Sequence, residues 1–133
     1  MKKKELILEK KEYNIFSVKN DPISDRLVEI FEFHSVDFAF FDFRDFPPTD
    51  EQMKAWAEFE SDDYPINYRN TLFKKNERWF KKAEEGKKYD WLREHYHVLN
   101  RPVVEDRDGK VLTIGGRPER ILRNITGIDV SEP

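Results

Sequence analysis

The sequence predicts an α/β fold, a mixed sheet flanked by helices, on three observations. A strand–helix–strand unit comes first, an aromatic-rich helical block follows, and a strand–turn–strand–helix unit comes last. Strands separated by a helix pair in parallel, whereas strands joined by a tight turn pair antiparallel, so the combination gives a mixed sheet covered by its helices.

Each element has its own signal. Leu6-Ile7-Leu8 is a short apolar run, so residues 1–12 are read as an N-terminal extension, either a strand or a tail. Tyr13-Asn14-Ile15-Phe16-Ser17-Val18 is rich in aromatic and β-branched residues and reads as the first strand. Lys19-Asn20-Asp21 is a turn, with Asp21 as an N-cap and Pro22 at the first helical position, where an N–H would have no partner anyway. Ile23, Leu27, Ile30, Phe31 and His34 then recur at helical spacing on one face. A second, mostly aromatic strand runs from Val36 to Phe43.

Thr49 with Gln52 three residues on is a capping-box signature, and it opens a helix through Met53, Trp56 and Ala57. After the break at Asp62-Asp63-Tyr64-Pro65, residues 66–97 read as two or three helices parted near Glu85-Gly86. Pro102-Val103-Val104-Glu105 and Lys110-Val111-Leu112-Thr113-Ile114 read as strands joined by an Asp108-Gly109 turn. Gly115-Gly116 ends the second of them, and Pro118 starts a helix carrying Ile121, Leu122 and Ile125.

Composition narrows the chemistry. A length of 133 residues suits one domain with its own core. The 14% aromatic content argues against disorder, and the 38% charged content implies a densely charged surface. No apolar run approaches the ~20 residues of a membrane helix, and Met1-Lys2-Lys3-Lys4 leads into a segment too short and too charged for a secretory signal. A cytoplasmic protein without membrane contact is expected. The chain has no cysteine, which removes disulfides, thiolate metal sites and a cysteine nucleophile. With a net charge of −3, direct nucleic-acid binding is not expected. Nine acidic residues fall between Asp37 and Asp63 against Arg44 and Lys54, and eight basic against five acidic between Lys74 and Glu94. Either two solvated faces or a surface that steers a partner accounts for that polarity.

Four segments, taken in order, resemble the arsenate reductase/Spx branch of the glutaredoxin-like proteins. Phe46-Pro47-Pro48-Thr49 is similar to the Pro-Pro-Thr that opens the family's inserted helical block. Leu72-Phe73-Lys74-Lys75-Asn76 is similar to its Leu-Leu-Arg-Lys-Asn. Leu99-Asn100-Arg101-Pro102-Val103-Val104 resembles its Ile-Asn-Arg-Pro-Ile-Val, whose proline is cis, and Arg117-Pro118-Glu119 resembles the Arg-Pro that opens its last shared helix. The resemblance implies a thioredoxin-like mixed four-stranded sheet over residues 13–128, with a helical insertion at about 49–97 and a tail at 129–133.

The departure from that family falls on its chemistry. The resemblance implies a nucleophilic cysteine in the loop between the first strand and first helix; here that loop reads Asp21-Pro22-Ile23-Ser24-Asp25-Arg26. Set against the glutaredoxin Cys-Pro-x-Cys, Asp21 takes the cysteine position; spacing from Arg26 puts Pro22 there instead. Neither supplies a thiol. A helix N-terminus lowers a thiol pKa, whereas an aspartate in the same field caps the helix and has no redox couple.

The three arginines that hold the oxyanion in the reductases correspond to Lys74, Arg101 and Arg117. Those residues either keep an anion site, form an internal network with Asp21, or face water. Pro102 belongs to a loop that in the resembled fold presents backbone to an extended peptide or to glutathione. Gly115 and Gly116 resemble the glutaredoxin site for the glutathione γ-glutamyl carboxylate, and a strand-to-helix turn explains them equally well.

Other features carry less. His95 and His97 stand two apart, which on a helix separates their side chains; no metal site is expected, and no histidine near Ser24 supports a serine nucleophile. Trp56, Trp79 and Trp91 are read as core or helix-packing residues. The expected function is a non-catalytic, protein-binding or regulatory module without a cofactor; RNA polymerase enters as a partner only through the resemblance to Spx proteins. The alternative is a glutathione- or oxyanion-binding protein, or a reductase relative using a thiol that a partner or glutathione supplies.

Overall fold

A computed structural model describes residues 11–59 and 64–129. Most of the N-terminal extension, the Asp62-Asp63 break and most of the tail lie outside the described residues. The strands are β1 (Tyr13–Ser17), β2 (Phe38–Asp42), β3 (Val103–Asp106) and β4 (Val111–Ile114). They form one sheet in the order β2-β1-β3-β4. β1 runs parallel to β2 and antiparallel to β3, and β3 and β4 form an antiparallel hairpin. The expected mixed four-stranded α/β sheet is therefore the observed one.

The pleat of β1 sorts the core into two layers. Ile15 faces one side with Val104, against Leu27, Ile30 and Phe31 of helix α1 (Pro22–Phe33) and Ile121 and Leu122 of helix α5 (Pro118–Thr126). Phe16 and Val103 face the other side, against helices α2 (Asp50–Phe59), α3 (Thr71–Lys82) and α4 (Glu85–Glu94). Trp56, Phe73, Phe80 and Leu92 fill that second layer. Burying each such side chain contributes about 1.5–3 kcal/mol, so the helical block is held to the sheet by its aromatic residues.

The local signals act as the sequence predicts. Thr49 and Gln52 close the capping box reciprocally, Gln52 N–H donating to Thr49 Oγ1 at 3.1 Å and Thr49 N–H to Gln52 Oε1 at 3.0 Å. Pro118 stands at the start of α5, and Gly127 caps its C-terminus in the left-handed region with φ 78°. Three elements differ from expectation. Residues 66–70 are not helical: Ile66 bridges Leu99 instead, so a long-range pairing overrides local preference. α3 and α4 part at Ala83 and Glu84, two extended residues, so Glu85 and Gly86 lie in the first turn of α4 and not in a break. Ile23 is exposed and Ser24 takes the buried position in the first turn of α1. Trp79, half-exposed, packs α3 on α4 through Trp91 at 6.3 Å, the helix-packing role expected of it.

Candidate functional site

The loop between β1 and α1 is built around the helix N-terminus, whose free N–H groups and positive dipole end favour an oxygen acceptor. Asp21 is extended and provides one, its Oδ2 accepting from the Ser24 N–H at 3.1 Å. The Ser24 hydroxyl donates to the same oxygen at 2.9 Å. A carboxylate only accepts, so the Ser24 proton is committed there, and the Ser17 hydroxyl, 2.5 Å away, donates to Ser24 Oγ. Ser17 and Ser24 are both fully buried. On its other side Asp21 Oδ1 lies 3.5 Å from the Arg101 guanidinium, which also donates to the His97 carbonyl at 3.1 Å.

The result is a continuous polar chain, Ser17–Ser24–Asp21–Arg101, in the place where the resemblance implies a thiol and an oxyanion. The two hydroxyls and the carboxylate share hydrogen bonds, and the guanidinium stands at ion-pair distance from the carboxylate. Of the readings open for the basic residues, Arg101 takes the internal pairing with Asp21. Lys74 on α3 and Arg117 at the N-cap of α5 are exposed, and the ion pair to Asp21 is made by Arg101. Arg26 points away from the chain to Glu29 at 2.6 Å and Glu119 at 3.3 Å, fastening α1 to α5.

The Arg101–Pro102 peptide is cis, and the Pro102 carbonyl accepts from the Gly115 N–H at 2.7 Å. Gly115 and Gly116 both have positive φ, 71° and 103°, a region that favours glycine. This brings the Gly-Gly turn beside the proline. Ile23, at 45% exposure, is an apolar side chain left outward next to the loop.

Two residues that position this loop carry no motif. Asp42, at the end of β2 and 3% exposed, accepts from Lys19 N–H at 2.9 Å, from Arg44 N–H at 2.8 Å and from the Arg44 guanidinium at 3.0 and 2.8 Å. The Arg44 side chain holds the Asp42 carboxyl well below the usual carboxylate range, against the opposing effect of burial, with the two backbone donors adding to it. Through Lys19, Asp42 ties the β1–α1 loop to the neighbouring strand. The sequence signal was an aspartate at the end of an apolar strand with an arginine two residues on, which reads as ordinary surface charge. Among the described residues no group of histidines and acidic side chains could hold a metal ion. His95 stacks on Trp91 at 4.5 Å instead.

No family model and no curated protein matches the chain. Solved structures do match it. A protein described as YffB is similar over 86% of this chain and 99% of its own, with a TM-score of 0.66 and 19% identity. The arsenate reductase from Vibrio cholerae is similar over 85% of this chain and 97% of its own, with a TM-score of 0.63 and 17% identity. An arsenate reductase (ArsC) related protein from Brucella melitensis covers 86% of this chain and 95% of its own, at 0.58 and 22% identity. At such identities the likeness establishes the fold, a thioredoxin-like sheet with the arsenate-reductase type of helical insertion. Among the described residues no helix is long and apolar enough to cross a membrane.

Proposed function

We propose that this chain is a non-catalytic thioredoxin-fold module that binds a protein partner at the rim formed by Ile23, Arg101 and Gly116, beside the buried Pro102. The observation that carries the reading is the closed chain Ser17–Ser24–Asp21–Arg101. It occupies the helix N-terminus with a capping carboxylate in a sequence that has no cysteine. The outward Ile23 supports contact with an apolar side chain of the partner, and the glycine turn leaves backbone approachable beside it. A regulatory role, with RNA polymerase as one partner to test by name, rests on the resemblance to Spx proteins alone.

A photo-reactive residue placed at position 23, with one at Lys81 as control, tests this in cells of the native source. The expected result is a discrete protein crosslink from position 23 and none from position 81; equal labelling from both sites overturns the proposal. The alternative, a glutathione or oxyanion pocket, requires Arg101 to leave Asp21. Calorimetric titration with glutathione, arsenate, phosphate and sulfate is expected to show no binding. Micromolar binding lost on Arg101→Ala would replace the proposed reading with that alternative.

A further inference from the structure

A second candidate site lies on the face of the sheet that α2 covers. A cavity of about 570 Å³ opens between the sheet, α2 and the β3–β4 turn, within the ~300–1,000 Å³ range of small-molecule pockets. Three phenylalanine rings line it: Phe16 and Phe41 stack at 5.1 Å, and Phe46 meets Phe41 edge-on at 5.2 Å. Its polar lining carries one sign of charge. Asp45, Glu51, Glu105 and Asp108 contribute carboxylates, and among the described residues no lysine, arginine or histidine lines it.

Glu105 separates this cavity from an ordinary acidic surface. It sits in the middle of β3, opposite Asn14, with 1% exposure. One oxygen, Oε2, accepts from the Trp56 indole at 2.8 Å and from the Gln52 amide at 3.3 Å. The other oxygen has no partner among the described residues. A glutamine would satisfy the indole equally well, so the indole bond does not explain a full carboxylate. Burying one without a counter-charge is costly, and in an apolar surround its attraction for a cation is stronger than at the surface. Ring faces beside it favour the same charge.

We infer that this cavity binds a small organic cation, an amine with an apolar body, its ammonium group held by Glu105 and its body against Phe16, Phe41 and Phe46. The rim carboxylates Asp45, Glu51 and Asp108 attract the cation and exclude anions. The inference does not depend on the function proposed for the β1–α1 loop, because the two rest on different side chains.

Three probes of one shape and different charge test it: 2-phenylethylamine, 2-phenylethanol and phenylacetate, titrated into the full chain by calorimetry and ¹H–¹⁵N spectroscopy. The amine is expected to bind at least tenfold more tightly than the alcohol, with no binding of phenylacetate. The Trp56 indole N–H resonance, which reports on Glu105 directly, should move with the amine. Glu105→Gln should bring the amine down to the level of the alcohol, and Ala55→Phe, which fills the cavity wall, should remove both. Equal affinities for amine and alcohol, an unmoved Trp56 resonance, amine binding unchanged in Glu105→Gln, or no binding by any probe each overturns the inference. Should Glu105→Gln fail to fold, the charge selectivity and the Trp56 shift in the unsubstituted protein decide it.

Discussion

Asp21 and Glu105 are two carboxylates set beside the same central strands, and they end up in opposite states. Asp21 uses both oxygens within the protein: one caps α1 and accepts the Ser24 hydroxyl, the other faces Arg101. Glu105 is more deeply buried and uses one oxygen, leaving the other toward a cavity without basic lining. The region that resembles an active site is thus occupied by its own side chains, while the cavity under α2 keeps an unused charge. A carboxylate that lines a cavity, more than an inherited loop, shows where a ligand could still be bound.

The widest separation between the two regions comes from Trp56. Trp56→Ala removes a fully buried ring and strips Glu105 of its strongest donor, so a loss of about 4 kcal/mol is expected, read as a lower urea midpoint. A loss no larger than that of a surface substitution would mean that Glu105 and Trp56 are not coupled.

Asp42 extends the contrast to a third carboxylate, fully satisfied and buried. Asp42→Asn at neutral pH should cost about 2 kcal/mol, because a charged acceptor of several donors is lost. Its pH dependence has a fixed sign. The folded-state value lies below the unfolded one, so this stabilisation is full above the unfolded carboxylate range and is lost as pH falls toward the folded value. Acid titration of stability should therefore be flatter below the ordinary aspartate range in Asp42→Asn than in the unsubstituted protein; parallel curves would count against the assignment.

The closed loop itself should be a modest contributor. Asp21→Ala removes an N-cap and is expected to cost about 1 kcal/mol. The coupling of Asp21 to Arg101 in a double-mutant cycle should be below about 1 kcal/mol, given a 3.5 Å separation and partial exposure. The smallest stability effect belongs to Ile23→Ser, within about 0.5 kcal/mol, yet the same change should weaken partner binding if the exposed rim is the contact. Unchanged binding would remove Ile23 from the proposed surface.

What the sequence revealed follows the range of each interaction. The Asp21 cap, the Thr49–Gln52 box and the hairpin at Asp108-Gly109 are settled by residues within a few positions of one another, and all three are legible. Ile23 fits the apolar period of α1, but Ser24 is drawn inward by Ser17 across the strand–helix junction, which periodicity does not contain. Ile66 is recruited by Leu99, and Arg26 by Glu119, through contacts between distant elements. The resemblance singled out Arg101, Lys74 and Arg117 together, but only the fold shows that Arg101 faces Asp21, a contact between residues 80 positions apart. Glu105 escaped notice because an acidic residue in a strand next to a turn looks solvent-facing; its indole partner is 49 positions away.

The strand order has a kinetic consequence. β1 lies at the centre of the sheet, yet one of its neighbours comes from far along the chain: the Asn14 amide reaches the Asp106 carbonyl across 92 positions. The α1 crossover can align β2 early, but the other side of β1 stays open until the whole helical block has been traversed. Closing so long a connection is entropically costly before its contacts repay it, and it slows folding more than it lowers stability. In that interval Asn14 and Phe16, both buried in the finished sheet, are uncovered on a strand with a bare hydrogen-bonding edge. The aromatic β1–β2 pair is therefore the part of this protein most exposed to mispairing with other chains while it folds.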